Sequence, residues 1–272
     1  MTEMLALIGF GEAGSTFAHS AGWERDARAF DIRSVDFEAA AVSGCASLAE
    51  ALAGSASVIS LVTADNALAV ARDAAALIEP GVFFFDMNSV APDTKRAAAA
   101  AIGKAGAIYV DVAVMAPVKP SRLAVPLLLS GPHAEAGEAA LAALGFTNLR
   151  VVGDDVGRAS TVKMLRSVMV KGAEALTAEC LLACERAGVT GEVLGSFGED
   201  WATGADHRID RMLVHGGRRA AEMAEAVKTL AALGVDPSMT RGTVKRQAQL
   251  GGLGITAPPA GLEAKLAMMR NA

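Results

Sequence analysis

The chain has little of several features that would assign it to a class at once. Only 4% of its 272 residues are aromatic although 52% are hydrophobic, and long alanine stretches predict tightly packed, helix-rich structure. No apolar run approaches the roughly 20 residues that a membrane helix needs, so we expect no membrane partner. Acidic residues outnumber basic ones, 30 to 25, and the net charge of −5 argues against general nucleic-acid binding.

Cysteines are scarce as well. Cys45, Cys180 and Cys184 form an odd set without metal-ligand spacing, which predicts reduced core thiols in a cytoplasmic protein and no metal site. The N-terminus runs directly into an apolar strand without a basic segment and a cleavage site, so we expect no signal peptide. A chain of this length can bury a large core and form two domains.

The N-terminal segment carries the most informative motif. Residues 5–14 read LALIGFGEAG, an apolar strand that breaks into a GxGxxG pattern. Gly9 allows a tight turn, Gly11 lets the backbone approach a pyrophosphate, and Gly14 lets the following helix pack on the sheet. The free N–H groups at the start of that helix favour phosphate. The pattern predicts dinucleotide binding; the alternative is an ordinary strand–turn–helix.

Asp31 supports the dinucleotide interpretation. It ends the second predicted strand, 17 positions after Gly14, close to the spacing at which an acidic side chain reaches the adenosine ribose. This favours NAD. Arg33, two residues later, leaves NADP open because an arginine there can meet a 2′-phosphate.

Two polar loops follow later strands at the edge where ligands bind in open α/β sheets. The first includes Val62–Asn66 and the second Asp86–Ser89. Helix capping by Asp65, Asn66, Ser89 or Asp93 is the alternative. The complete predicted cofactor set is Gly9, Phe10, Gly11, Glu12, Ala13, Gly14, Asp31, Arg33, Val62, Thr63, Ala64 and Asn88.

The alternation of apolar and helical segments predicts an α/β Rossmann domain over residues 1–157 and an all-α domain over residues 158–272. A long helix beginning near Ala159 is expected to bridge them. The second half is expected to be interrupted at Gly188, Gly216-Gly217, Gly234 and Pro237. A Gly/Pro-rich loop over 251–259 precedes a short final helix. The predicted strands are Leu5–Gly9, Ala29–Ile32, Val58–Val62, Val82–Asp86, Ile108–Val110 and Leu127–Ser130; the orientation of the last ones is left open.

A second group of polar residues lies on the bridging helix. Lys163, Ser167 and Lys171 are spaced i, i+4, i+8 and share one face. A lysine in a partly dry cleft has a lowered pKa and can exchange a proton with a substrate hydroxyl. A solvated helix face with ordinary lysines is the alternative.

The order of these motifs resembles the β-hydroxyacid dehydrogenase superfamily, which includes 6-phosphogluconate dehydrogenase and 3-hydroxyisobutyrate dehydrogenase. The resemblance runs through about Ala183 and is closest to a 6-phosphogluconate-dehydrogenase-like branch with its own helical C-terminal domain. It implies that Lys163 is the catalytic general acid/base. Ser167 stands where the family usually has asparagine, and its hydroxyl can still bond a substrate oxygen.

The substrate loop departs further from the family pattern. The family's Asp-x-Pro-Val-Ser-Gly-Gly reads Asp111-Val112-Ala113-Val114-Met115-Ala116-Pro117 here. Proline has no N–H to offer a carboxylate, and Met115 is bulky and apolar, so the substrate is expected to be larger or less acidic than a small 3-hydroxy acid. Lys119 and Arg122 follow and can meet an anionic group. The predicted substrate-binding residues are Asp111, Val114, Met115, Ala116, Pro117, Lys119 and Lys171.

The sequence therefore predicts an NAD(P)-dependent oxidoreductase that acts on CH–OH groups of hydroxy-acid-like small molecules, working as a homodimer paired through the helical half. An imine reductase on the same fold is one alternative, against which Lys163 argues because the imine reductases compared usually replace that lysine. A non-catalytic NAD(P)-binding sensor or scaffold is the other.

Overall fold

The computed structural model describes residues 4–23, 26–40 and 42–269 of the chain, which divides into two compact units, Met1–Lys163 and Met164–Ala272. The first unit is built on an eight-stranded sheet of order β3-β2-β1-β4-β5-β6-β7-β8. Neighbouring strands are parallel except β6 and β7, which are antiparallel. The strands are β1 (Leu5–Ile8), β2 (Ala27–Phe30), β3 (Ser43–Gly44), β4 (Ser57–Ser60), β5 (Phe83–Asp86), β6 (Ile108–Val114), β7 (Leu127–Ser130) and β8 (Leu149–Val151).

Helices cover both faces of this sheet. Alternate residues of one strand point to opposite faces, so Leu5 and Leu7 of β1 join one apolar cluster while Ala6 and Ile8 join another. Because both faces are buried, the central strands read as continuous apolar runs. The helices of this unit are α1 (Glu12–Ala21), α2 (Leu48–Leu52), α3 (Ala67–Ala75), α4 (Pro92–Lys104), α5 (Val118–Ser121) and α6 (Ala134–Ala143).

The predicted fold class is confirmed. The six predicted strands all form. Their ends differ from the predicted ends by at most two residues, except that β6 continues four residues further, to Val114. The structure also contains β3 and β8, which the sequence analysis missed. Each has at most three residues, which is too short for a period-two pattern to register.

The second unit is helical. Its apolar core is built from α7, α9 and later helices, with Ala178 and Leu181 of α7 packed among Ile209 and Met212 of α9. The helices are α7 (Arg158–Ala187), α8 (Thr190–Phe197), α9 (Glu199–Ala232), α10 (Ser238–Gly251) and α11 (Leu262–Met269). The first turn of α7 belongs to the first unit, so the division of the chain lies just inside this helix, shortly after the predicted boundary at 157/158.

The expectation that Gly216-Gly217 punctuates the helical half is wrong. Both glycines lie inside α9, which runs unbroken to Ala232. A Cβ on Gly216 would lie 2.4 Å from the carbonyl oxygen of Gln247, and one on Gly251 would lie 2.3 Å from the amide nitrogen of Gly217. Glycine is therefore used here to let the backbones of α9 and α10 cross closely.

Candidate functional site

The glycine loop after β1 has three glycines in three different surroundings. Gly9 has φ +91° and its Cβ would lie 2.6 Å from the Leu61 carbonyl oxygen, while a Cβ on Gly14 would lie 2.5 Å from the Gly9 carbonyl oxygen. Neither position has room for a side chain. Gly11 is different, because within 4 Å its Cβ would meet only the Arg33 guanidinium, at 3.5 Å. The backbone is thus open to a ligand at Gly11, which fits a dinucleotide pyrophosphate.

Asp31 ties this loop to the end of β2. Its Oδ2 accepts the N–H of Phe10 at 2.8 Å, and its Oδ1 accepts the N–H of Arg33 at 2.9 Å. The Arg33 guanidinium donates to both carboxylate oxygens at 3.1 Å. Burial opposes ionisation of Asp31, but the hydrogen bonds from Arg33 and Phe10 outweigh it and hold the pKa of Asp31 below its ordinary value. The carboxylate is therefore anionic and already well supplied with donors.

Arg33 reaches from this carboxylate into solvent. Its side chain is 66% exposed, against 6% for that of Asp31. An exposed guanidinium beside Gly11 is able to meet a phosphate, and it also covers the Asp31 oxygens that a ribose hydroxyl would use. The structure thus brings Asp31 and Arg33 together, as predicted. The two side chains compete for the ribose and phosphate region of a dinucleotide.

The rest of the glycine segment serves mainly as framework. Phe10 is buried and its ring lies 5.0 Å from that of Phe37. Glu12 and Ala13 form the first turn of α1, and Ala13 packs against the core. Gly11 precedes the helix without a side-chain cap, so the first amides of α1 are not satisfied by a capping side chain.

The loops after β4 and β5 meet through Asn88. Its amide oxygen accepts the N–H of Val62 at 2.7 Å, and its amide nitrogen donates to Ser60 Oγ at 3.0 Å. These two hydrogen bonds join the ends of β4 and β5, and Asn88 is buried between them. Thr63 accepts a hydrogen bond from Asn66 at 2.9 Å, and Ala64 begins a 3-10 turn. Asn66 and Ala91 directly precede α3 and α4, and neither makes a capping hydrogen bond with its side chain.

Behind these loops lies a buried ionic cluster that the sequence analysis missed. Lys95 of α4 is fully buried and its Nζ donates to Asp86 Oδ1 at 2.9 Å, while Asp111 Oδ1 lies 3.3 Å away. Tyr109 donates to Asp86 Oδ2 at 2.7 Å, and burial followed by the two nearby carboxylates raises the pKa of this phenol well above its ordinary value. A signal was present in the sequence: Lys95 shares the apolar face of α4 with Ala98 and Ile102.

Asp111 connects this cluster to the start of α7. Its Oδ2 accepts the N–H groups of Gly157 at 3.1 Å and Ser160 at 3.2 Å. Ser130 donates to the same oxygen at 3.0 Å and accepts the N–H of Ala159 at 2.9 Å. A carboxylate at a helix N-terminus satisfies orphan donors and complements the helix dipole. Asp111, predicted to bind substrate, is thus fully buried and holds α7 to the middle of β6 and, with Ser130, to the end of β7.

Lys163 lies just over one turn further along α7. Its Nζ donates to Ser89 Oγ at 2.5 Å, and Ser89 follows β5 in the same loop as Asn88. The ammonium therefore lies at the carboxyl-terminal edge of the parallel strands, which is where open α/β sheets bind ligands. Its side chain is partly exposed, so a substrate oxygen can approach it.

The predicted substrate loop begins in the sheet and ends on the surface. Val114 and Ala116 are half-buried against the apolar core, and Met115 packs beside Ala113, Leu128 and Ala159. Pro117 and Lys119 are exposed at the start of α5. Met115 also lines a shallow cavity of about 320 Å³ with Val162 and Arg150.

In the helical unit, Ser167 and Lys171 are both buried. Lys171 forms an ion pair with Glu222 of α9. Burial lowers the pKa of Lys171, and Glu222 acts in the opposite direction. The substrate contact predicted for Lys171 therefore has a competing internal partner in Glu222.

A second missed cluster surrounds Glu174 of α7. Its carboxylate accepts three hydrogen bonds from the Arg219 guanidinium. A fourth comes from the Gln247 amide nitrogen at 3.0 Å. Arg211 Nε lies 3.6 Å away. Glu174, Arg219 and Gln247 are all buried, so this cluster joins three helices through charge.

Among the described residues, no helix is long and apolar enough to cross a membrane. No group of three or more His, Cys, Asp or Glu side chains in that same part of the chain is arranged to hold a metal ion.

Two family models match the chain. Residues 4–146 match the NAD binding domain of 6-phosphogluconate dehydrogenase, and residues 185–250 match a domain of unknown function, DUF1932. The first match covers the glycine loop, Asp31 and the loops after β4 and β5. It identifies the first unit as an NAD(P)-binding domain.

Solved structures resemble the whole chain. A conserved hypothetical protein from Sinorhizobium meliloti is 35% identical, covering 100% of this chain and 97% of that one, with a TM-score of 0.74. A conserved protein of unknown function, described as structurally similar to 3-hydroxyacid dehydrogenases, is 30% identical over 92% and 97%, with a TM-score of 0.69.

More distant structures share the fold. The 3-hydroxyisobutyrate dehydrogenase of Mycobacterium tuberculosis, with L-serine, is 17% identical over 99% of both chains at a TM-score of 0.72. An imine reductase from Pseudomonas sp. is also 17% identical, over 99% and 100%, at 0.59. The domain match and the two structures of 30% identity or more show that the chain belongs to the 6-phosphogluconate-dehydrogenase-like family of the β-hydroxyacid dehydrogenase superfamily, with a helical C-terminal domain.

Proposed function

We propose that the protein is a dehydrogenase that transfers a hydride between NAD and a hydroxy-acid-like or related carbonyl substrate, with Lys163 as general acid/base. The observation that carries the proposal is the position of the Lys163 ammonium, 2.5 Å from Ser89 Oγ at the edge of the sheet where the glycine loop also lies. A proton-transfer group beside a dinucleotide-binding edge is what alcohol–carbonyl interconversion requires.

The chain's own residues divide the work. In its neutral amine form Lys163 takes the proton of the substrate hydroxyl during oxidation, and the ammonium so formed returns it during reduction. Bound NAD would supply the hydride acceptor. Ser167 orients the same oxygen, in the place where the family has an amide. Asp111 acts indirectly, because it fixes the first turn of α7 and therefore the position of Lys163. Val114, Met115, Ala116 and Pro117 wall the substrate.

The test of the proposal is Lys163→Met, with Lys104→Met as the matched control because Lys104 is an exposed lysine in the last turn of α4. Turnover of a hydroxy-acid panel is expected to fall about 10²- to 10⁴-fold in Lys163→Met and to stay unchanged in the control. The dissociation constant for NADH is expected to be the same in both variants. Equal turnover of Lys163→Met and wild type would remove the lysine from the mechanism.

Two rival functions predict other outcomes of the same assays. An imine reductase would turn over cyclic imines faster than the matching carbonyl compounds, so paired substrates are included in the panel. A non-catalytic sensor or scaffold would bind NADH and turn over no alcohol, hydroxy acid or imine at all.

NAD is proposed as the preferred cofactor because the lowered pKa of Asp31 keeps a negative charge where a 2′-phosphate would lie. Asp31 would hold the ribose hydroxyls of NAD through the oxygens that now accept from the Arg33 guanidinium. Arg33→Ala is expected to tighten NADH binding and weaken NADPH binding, and Asp31→Asn to do the reverse. The readout is the ratio of the two dissociation constants. A wild-type preference for NADPH would make Arg33, rather than Asp31, the cofactor-selecting residue.

We also propose a homodimer that forms through α7. Three apolar side chains of α7 are exposed: Leu165 at 39%, Met169 at 75% and Leu176 at 61%. Their spacings of four and seven residues place them on one face of the helix, where they form an apolar stripe. Such a stripe is typical of a helix that packs against a partner. Met169→Glu is expected to convert the dimer to a monomer in light scattering after gel filtration. The exposed Met239→Glu in α10 serves as the control.

A further inference from the structure

A polar cavity of about 470 Å³ lies on the first unit, between α1 and the segment around α5. It is separate in sequence from the loops that end β2, β4 and β5. The cavity is lined by Ser15, Thr16, His19, Ser20, Lys119 and Arg122. Its volume lies within the range of small-molecule sites, about 300 to 1,000 Å³.

The charge of this cavity is of one sign. Lys119 and Arg122 contribute two positive charges, and none of the lining residues is acidic. On a chain whose net charge is −5, a cavity whose lysine and arginine have no acidic residue beside them in the lining is a local reversal of sign. Arginine and lysine on one side of a cavity attract a phosphate or a carboxylate.

The backbone at Arg122 is unusual. Among the described residues, Arg122 is the one non-glycine residue with positive φ, at +51°. For a residue with a Cβ this conformation costs on the order of 1 kcal/mol, and such strain clusters at ligand sites. Glycine would adopt the conformation freely, so the arginine side chain is retained at an energetic cost.

The wall formed by α1 is polar along two helical turns. The hydroxyl groups of Ser15, Thr16 and Ser20 each donate to the carbonyl oxygen four residues earlier, at 2.6 to 2.8 Å. Their oxygens can still accept from a ligand hydroxyl. His19 Nδ1 donates to the Ser15 carbonyl oxygen at 2.6 Å, which leaves Nε2 available to a ligand.

We propose that this cavity binds the oxyanion group, phosphate or carboxylate, of a small hydroxylated organic molecule. Lys119 and Arg122 hold the anion, and the α1 hydroxyls accept hydrogen bonds from the rest of the molecule. The cavity is much larger than a phosphate ion, which is the reason for assigning an organic ligand rather than a free ion. Binding here does not depend on the proposed dehydrogenase activity.

The test is calorimetric titration of the full chain with glycerol 3-phosphate, inorganic phosphate, malonate and neutral glycerol. Each titration is repeated with NADH present, because phosphate can also bind the glycine loop. Glycerol 3-phosphate is expected to bind at least fivefold more tightly than inorganic phosphate, with or without NADH. Arg122→Gly, which suits the positive φ, and Lys119→Ala are each expected to weaken it at least fivefold. Lys104→Ala, an exposed lysine outside the cavity, is the control and is expected to change it less than twofold.

Several outcomes are decisive. Tighter binding of malonate than of glycerol 3-phosphate would overturn the hydroxylated ligand, because malonate has no hydroxyl group. Equal binding of neutral glycerol and glycerol 3-phosphate would overturn the anion. Equal affinity for inorganic phosphate would assign the site to a free ion and overturn the organic ligand. Anion binding that is abolished by NADH, or that ignores Arg122→Gly and Lys119→Ala, would overturn the cavity as the site. Failure of the proposed function appears separately, as absent turnover with anion binding intact.

Discussion

The two units of the chain bury charge in different places. In the first unit, Lys95 lies between Asp86 at the end of β5 and Asp111, its pairing partner on the neighbouring parallel strand β6. In the second unit, Glu174 and Arg219 lie between helices, with Gln247 completing the carboxylate's partners. A sheet edge gathers polar groups because strand ends meet there, whereas a helix bundle has to bring its charges together from distant turns.

The difference matters for how each cluster acts. The Asp86–Lys95–Asp111 cluster continues into the N-terminus of α7 through Gly157 and Ser160, so it positions the helix that carries Lys163. No described contact of Glu174 belongs to the glycine loop or to the loops after β4 and β5. The first cluster therefore supports the candidate site, and the second supports the packing of the bundle.

Lys95→Met is expected to have the largest effect on stability. It leaves two buried carboxylates without their shared cation, which costs about 3 to 5 kcal/mol of the free energy of unfolding. The chain has two tryptophans, Trp23 in the first unit and Trp201 in the second, so a Trp201→Phe background reports the first unit by fluorescence in urea. An unchanged urea midpoint in the Trp23 fluorescence would mean that the two buried carboxylates do not need Lys95 for the stability of the first unit.

Much of the first unit was predictable, because its signals are local. The glycine triplet, the acidic residue at the end of β2 and the strand-ending loops each lie within a few residues of the element they mark. Asp111 was found as a site residue, but its contacts with Gly157 and Ser160 lie 46 and 49 positions away, so its service as a helix anchor was not apparent.

The helical unit was predictable as helical and little more. Glu174 meets Arg219 across 45 residues and Gln247 across 73, and no spacing rule joins such positions. Gly216-Gly217 was interpreted as a break because glycine usually weakens helices. The crossing partner at Gly251 that gives Gly216 its use is far along the chain, and only the fold brings the two together.

Glu174→Gln tests the second cluster. The amide keeps most of the shape but removes the charge that balances Arg219, which is expected to cost about 2 to 3 kcal/mol. The loss should be reported by Trp201 in a Trp23→Phe background. Glu179→Gln, on the same helix but with its side chain 68% exposed, is the control and is expected to change little. Equal losses in the free energy of unfolding of the two variants would mean that the buried charge of Glu174 stabilises the unit no more than an exposed one does.

The adjacent glycines of α9 provide a matched pair. A methyl group at Gly216 would overlap the Gln247 carbonyl oxygen, so Gly216→Ala is expected to lower the free energy of unfolding by about 1 to 3 kcal/mol. Gly217 has nothing within 4 Å of its Cβ position, so Gly217→Ala is expected to raise it by about 0.5 to 1 kcal/mol. Opposite signs for neighbouring residues are the result that a close helix crossing requires. The same sign in both would contradict the crossing.

The smallest expected effect concerns Asp31, which lies at the sheet edge but outside the buried cluster. Because its pKa is lowered in the folded protein, its ionisation stabilises the fold above the unfolded pKa of about 3.9. That contribution is lost as the pH falls through the lower, folded value. Wild type is therefore expected to exceed Asp31→Asn in urea midpoint at pH 6, with Trp23 as the reporter, and the gap is expected to narrow as the pH falls below about 3.9. Arg33→Ala removes the guanidinium from Asp31 but keeps the Phe10 amide. At pH 6 the urea midpoint of Arg33→Ala should therefore lie between those of wild type and Asp31→Asn. A gap between wild type and Asp31→Asn that stays constant from pH 6 to pH 3 would mean that the Asp31 oxygens act only as neutral acceptors.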